Sequence, residues 1–187
     1  MASAMARRIA SVAGDQHRRF HMMDEGDPKL CAQIRKYWTE IGLTFTSCTS
    51  VPWSAVFVSW CVKKAGVTPS QFLFEQSHAR FVHDCINNPR GFRGVNITAA
   101  APDLGDIIHG NRNGGTHDFA FARTHKTYNS HSAIVVEIGR DAGGGYALTI
   151  GGNEGDAIRA TIVRLKPNGF IKQRVENPYI SVLKNRM

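Results

Sequence analysis

Apolar positions recur at helical spacing in the first half of the chain and at strand spacing in the second. Leu30, Ile34, Tyr37, Trp38 and Ile41 stand mostly three or four apart, which predicts an amphipathic helix stopped at Gly42. Over residues 51–66, Pro52 and Ser54 lie at the start, Lys63 and Lys64 in the last turn and Gly66 beyond it, which are helix start and stop signals together. The apolar residues between them wrap almost all the way round, so this helix is expected to be buried and central. A shorter helix over residues 77–86 carries His78, Phe81, Val82 and Cys85, and Asn88-Pro89 breaks it.

Beyond it the pattern changes to short β-favouring runs at residues 106–108, 132–138, 146–150, 161–165 and 180–183, separated by polar or glycine-rich turns such as Gly143-Gly144-Gly145. Helices followed by strands, with no βαβ alternation, predict an α+β fold in which N-terminal helices pack on a C-terminal antiparallel sheet. Residues 110–130 read as a long polar loop containing His117 and His125, and residues 1–28 as a polar arm, with at most a short helix, ahead of one domain over 29–187. A chain of 187 residues suits a single core.

Composition narrows the function. The 23 Lys and Arg exceed the 15 Asp and Glu by eight, yet the basic residues are scattered and not interleaved with an aromatic platform, which argues against nucleic acid and for a general attraction to polyanions such as a bacterial wall. No apolar run approaches the roughly 20 residues that span a bilayer. Arg7 and Arg8 are not followed by an apolar stretch or a clear cleavage site, so no Sec signal is expected, and action in the periplasm or on the wall would require another export route. Cys31, Cys48, Cys61 and Cys85 are spaced by 17, 13 and 24, which fits neither a zinc ribbon nor a CxxC pair; they read as mostly free thiols.

Three residues have the types and order of a nucleophile, a base and an orienter: Ser54 at a helix start, His131 opening an apolar strand and Asn153 after the next strand. A helix N-terminus stabilises developing negative charge, an imidazole accepts the nucleophile's proton, and a third group fixes the imidazole tautomer. Each has a plainer alternative: Ser54 as an N-cap, His131 as a half-buried strand histidine, Asn153 as a positive-φ turn residue. Cys61 lies two helical turns below Ser54 and reads as core, whereas Cys48, in the loop before the helix, is an alternative nucleophile. His78 and Trp53 are candidate cleft residues. His109, His117 and His125 with Asp118 lack the i, i+4 spacing of a helical zinc motif, so neither metal nor cofactor is expected.

The blocks Pro52-Trp53-Ser54-Ala55-Val56-Phe57-Val58-Ser59-Trp60, Ser77-His78-Ala79-Arg80-Phe81, Gly105-Asp106-Ile107-Ile108, His131-Ser132-Ala133-Ile134-Val135-Val136 and Ile150-Gly151-Gly152-Asn153 resemble an uncharacterised bacterial domain family that is similar to the CHAP and NlpC/P60 amidase-peptidases. The resemblance implies a papain-like (NlpC/P60-type) fold and cleavage of an amide in the peptide part of peptidoglycan, with Ser54 where those enzymes carry cysteine. It implies Ser54, His131 and Asn153 as catalytic residues, delivery by a secretion apparatus or phage lysis, and peptidoglycan, an immunity protein or a secretion component as partners. The rival expectations are a wall-binding module that has lost the thiol and an esterase or deamidase acting on a protein.

Overall fold

The division into helices and then strands is the one the chain adopts in a computed structural model, which describes residues 2–187. Four helices come first, α1 (Ala4–Phe20), α2 (Pro28–Thr39), α3 (Ser54–Lys64) and α4 (His78–Asn87). Strands β1 (Phe92–Asn96) and β2 (Ile107–Asn111) follow, then a short α5 (Phe119–Thr124), then β3 (Ser130–Asp141), β4 (Gly144–Glu154), β5 (Ala157–Arg164) and β6 (Tyr179–Asn185). The strands form one antiparallel sheet in the order β1-β6-β2-β3-β4-β5.

Strand alternation gives the sheet two faces. Ile107, Ile134, Ile150 and Leu183 join the main core with the helices, while Ile108, Val135, Ala147, Val163 and Val182 build a smaller core on the other side, closed by Ile97 and Ile171. α1, α3 and α4 lie against strands, and α2 packs on α3. α3 is the deepest helix: nine consecutive residues from Ser54 to Val62 are buried, as its all-round apolar pattern requires. Each large apolar side chain removed from water contributes roughly 1.5–3 kcal/mol, so α3 is the most firmly anchored platform in the molecule.

Several expectations are corrected. Residues 4–20 are no arm: α1 is capped by Ser3 Oγ, which accepts from Ala6 N at 3.0 Å, and it buries Ala6, Ile9, Ala10, Ala13 and Phe20. Its buried face consists largely of alanine, which has little hydropathic signal beside Arg7, Arg8, Arg18 and Arg19. The supposed loop over residues 110–130 contains α5, capped by Asp118 Oδ1 on Phe121 N at 2.8 Å, and His117 and His125 stack on the two sides of Phe121. β1 went unpredicted because Arg93 and Gly94 interrupt its pattern; Gly94 is required there, since a Cβ would meet Ile86 of α4 at 2.5 Å. The cysteines are not mostly free. Cys31 and Cys48 form a disulfide that ties α2 to the segment before α3, leaving Cys61 and Cys85 as buried thiols.

Candidate active site

α3 begins without a side-chain cap: its N-cap is Trp53, and the Ser54 hydroxyl is not used to close the helix. Ser54 Oγ is instead hydrogen-bonded to His78 Nε2 at 2.8 Å, and both residues are buried. The N-cap alternative for Ser54 therefore fails. His78 is the first residue of α4, and the segment leading to it is pinned to α3 by Ser59, whose Oγ donates to Glu75 O at 2.9 Å and accepts from Glu75 N at 3.0 Å. Two helix N-termini thus converge on one hydroxyl. The dipoles at such ends favour negative charge, and burial makes the preference stronger.

His131 packs against this pair, its ring centroid 5.2 Å from that of His78 in an edge-on arrangement. β3 remains paired to β2 down to Ser130, but its pairing to β4 ends at Ile134 and Ile150. Past that point the strands part, and His131 meets Glu154 across the gap. His131 Nε2 donates to Glu154 Oε1 at 2.7 Å, and Thr161 Oγ1 donates to Glu154 Oε2 at 2.9 Å. Burial raises the Glu154 pKa, but the His131 contact, Thr161 and the charge of Arg112 outweigh it, so the carboxyl titrates below its ordinary range.

The Gly151-Gly152-Asn153-Glu154 segment explains itself residue by residue. A Cβ on Gly151 would collide with Glu154 Oε1 and lie 2.7 Å from His131 Nε2, so glycine makes room for the hydrogen-bonded pair. A Cβ on Gly152 would press on Phe57 and Trp53 at 2.7 Å, so glycine lets the strand approach α3. Asn153 takes a left-handed φ of 54° at an irregularity in the β4–β5 pairing, where three steps from Gly151 to Glu154 face two from Arg159 to Ala157. That extra residue swings Glu154 onto His131.

Asn153 itself does not touch His131. Its Nδ2 donates to Glu25 Oε2 at 3.2 Å, and the same oxygen accepts from Trp53 Nε1 at 2.8 Å. Glu25 N also donates to Asp156 O at 2.8 Å. Glu25, in the link between α1 and α2, therefore joins the residue before Ser54 to the residue before Glu154. The carboxylate of Glu154, not the amide of Asn153, holds the His131 ring, and Asn153 has the positive φ of its turn reading. Trp53 is core and tether, and Cys48 has no thiol to offer because it is bonded to Cys31.

Two buried nitrogens here have no partner among the described residues, Nδ1 of His78 and Nδ1 of His131. A bare acceptor is tolerated inside a protein better than an orphaned N–H, which favours the Nε2–H tautomer of both rings. His78 is held well below the usual imidazole pKa, first by burial and then by His131, His109 and Arg112. His109 is shifted down to about 3 by burial and His131; it is hydrogen-bonded to Ser132 Oγ at 2.8 Å and Tyr128 Oη at 3.0 Å. No group of three or more His, Cys, Asp or Glu is placed to hold a metal among the described residues.

A cleft of about 350 Å³ opens over Ser54 and His78, lined also by Pro52, Gln76, Arg112 and Tyr128. His131 and Glu154 border a smaller cavity of about 120 Å³ with Thr149, Thr161, Arg174 and Tyr179. A larger concavity, about 650 Å³, lies elsewhere, around Asp106 and Lys184. There the carboxylate and ammonium satisfy each other, and Asp106 accepts from Asn185 N at 2.8 Å and Asp103 N at 2.7 Å, so the Gly105-Asp106 block is a staple between β2 and β6. The candidate site is the cleft of about 350 Å³, which holds the Ser54 hydroxyl and the His78 imidazole, with His131 packed on His78 and bordering the cavity of about 120 Å³. Glu154, Glu25 and Arg112 were not among the predicted site residues; the double glycine before Asn153-Glu154 is the signal that marked the segment.

The sequence profile of one protein family, described as "Uncharacterized protein conserved in bacteria (DUF2272)", matches residues 26–184 and so takes in every residue of this site except Glu25. No curated protein and no solved structure matches the chain.

Proposed function

The chain belongs to that bacterial family, DUF2272, and from this premise we propose that it is a hydrolase that cleaves an amide bond in the peptide part of the bacterial cell wall, on a papain-like scaffold of the NlpC/P60 type. The observation that carries the reading is the Ser54 hydroxyl, at the start of a buried helix and bonded to the His78 imidazole, against which packs a second imidazole held by a carboxylate. The Cys31–Cys48 disulfide adds to it, since such bonds persist in oxidising compartments outside the cytoplasm, where a wall hydrolase works.

In this mechanism Ser54 attacks the carbonyl and His131 receives its proton. An imidazolium at His78 would lie buried beside the charge of Arg112, whereas at His131 it would face Glu154. His78 stays neutral and donates from Nε2 to Ser54 Oγ, which leaves the serine proton free, and His131, whose Nδ1 is unpartnered in the resting protein, must move onto Ser54 to take it. The oxyanion forms at the N-terminal N–H groups of α3. His131 then returns the proton to the leaving amine, and a water, activated in the same way, releases the acyl group from Ser54.

The test is digestion of purified sacculi. The wild type is expected to release muropeptides, and Ser54→Ala and His131→Ala none, with all three proteins folded by circular dichroism. Release by Ser54→Ala at the wild-type rate overturns the assignment. Sacculi that retain every muropeptide while the protein sediments with them would favour a binding module instead.

A further inference from the structure

The cleft above Ser54 contains one permanent charge, and it is positive. Arg112 lines it with Ser54, His78, Tyr128 and other uncharged residues, and no carboxylate is among them. Arg112 is half-buried and makes no ion pair among the described residues. The nearby carboxylate, Glu154, is committed to His131 and Thr161. Arg112 donates from Nη2 to Asn153 O at 3.0 Å, and Asn153 is in turn held by Glu25. The guanidinium is thus fixed in direction by one nitrogen while its remaining N–H groups have no charged partner.

We infer that Arg112 is the anchor for a carboxylate of the substrate, so that the bond presented to Ser54 belongs to a peptide with a free carboxylate close to the scissile amide. This rests on the hydrolase reading above and narrows it to an anionic peptide. Arg112 is near enough for its charge to be felt at Glu154, but that carboxylate is hydrogen-bonded to His131 and Thr161, so the half-buried guanidinium has no ion-paired partner, and an incoming carboxylate supplies one. The planar fork matches a carboxylate in two parallel hydrogen bonds, a geometry that an amide or a hydroxyl does not reproduce. Because Arg112 is pinned beforehand through Asn153, little side-chain freedom is lost when the ligand arrives.

The experiment uses the full chain carrying Ser54→Ala, which binds without turnover, titrated by calorimetry with a cell-wall stem tetrapeptide bearing free carboxylates and with the same peptide converted to carboxamides. The acid form is expected to bind at least about tenfold more tightly. Arg112→Gln in the same background should bring the two affinities together. A merely structural role for Arg112 would weaken both peptides alike and leave the ratio standing, and Arg112→Lys, which keeps the charge, serves as the check on folding. Equal binding of acid and amide, a preference that survives Arg112→Gln, or no saturable binding of either peptide overturns the inference. Failure of the hydrolase reading is separate: intact sacculi alongside an Arg112-dependent acid preference leave the anion site standing, while muropeptide release with no such preference removes the anion site alone.

Discussion

His78 and His109 are imidazoles whose protonation opposes folding. Both have folded-state pKa values below the ordinary 6.5, so between that value and the folded one the unfolded chain binds more protons than the native protein. Stability is therefore expected to fall as pH drops below about 6.5, by up to roughly 1 kcal/mol per pH unit for each histidine. Urea melts between pH 7 and 5 measure it, and His78→Asn should give a shallower slope than the wild type. Glu154 acts in a lower window. Its folded pKa is depressed, so its contribution is present above its unfolded value and disappears as pH falls through the folded one. Gly151→Ala places a methyl group against Glu154 and His131, and should separate the pair and abolish turnover while leaving the fold intact. The ¹⁵N chemical shifts of His131 would then lose the signature of an imidazole donating to a carboxylate. Ser54 and His131 were legible because helix signals and strand alternation place them directly. Glu154 was not, because a single extra residue in β4 decides whether position 153 or 154 faces the imidazole, and spacing alone does not disclose a bulge.

At the level of elements, the segment before α3 is held by two ties, the Cys31–Cys48 disulfide and the Glu25 carboxylate. Cys31→Ser with Cys48→Ser should lower stability by about 2–4 kcal/mol in urea melts, the range expected when a cross-link stops constraining the unfolded chain. Glu25→Ala removes an acceptor shared by Trp53 and Asn153 and should cost about 1–3 kcal/mol, with Glu25→Gln recovering part of it. Comparing melting temperatures of the three proteins checks this. The central helix and the later strands were readable, since α3, α4 and β2 to β6 follow the periodicity of their own residues. α1 was underestimated because alanine buries well while scoring poorly against four arginines. The disulfide was not visible in a spacing of 17, because closeness of Cys31 and Cys48 is created by the packing of α2 on α3.

For the molecule as a whole, a net charge of +8 gives a long-range attraction to polyanions that salt weakens, and the proposed function makes an anionic wall one of them. The fraction of folded Ser54→Ala protein that sediments with sacculi should therefore drop as sodium chloride rises from low to physiological concentration and beyond. An unchanged fraction would mean that charge does not drive the association. The order of strands carries a consequence of another kind. β6, the last strand in the sequence, lies between β1 and β2, and β1 has no other partner in the sheet. While a ribosome is still producing residues 97–178, β1 waits beside α4 with its ladder unfilled, so the sheet closes only after β6 has been made. The amides of β1 should accordingly gain protection from exchange late in refolding and in step with those of β6, a dependence on distant pairing that slows folding in sheet proteins.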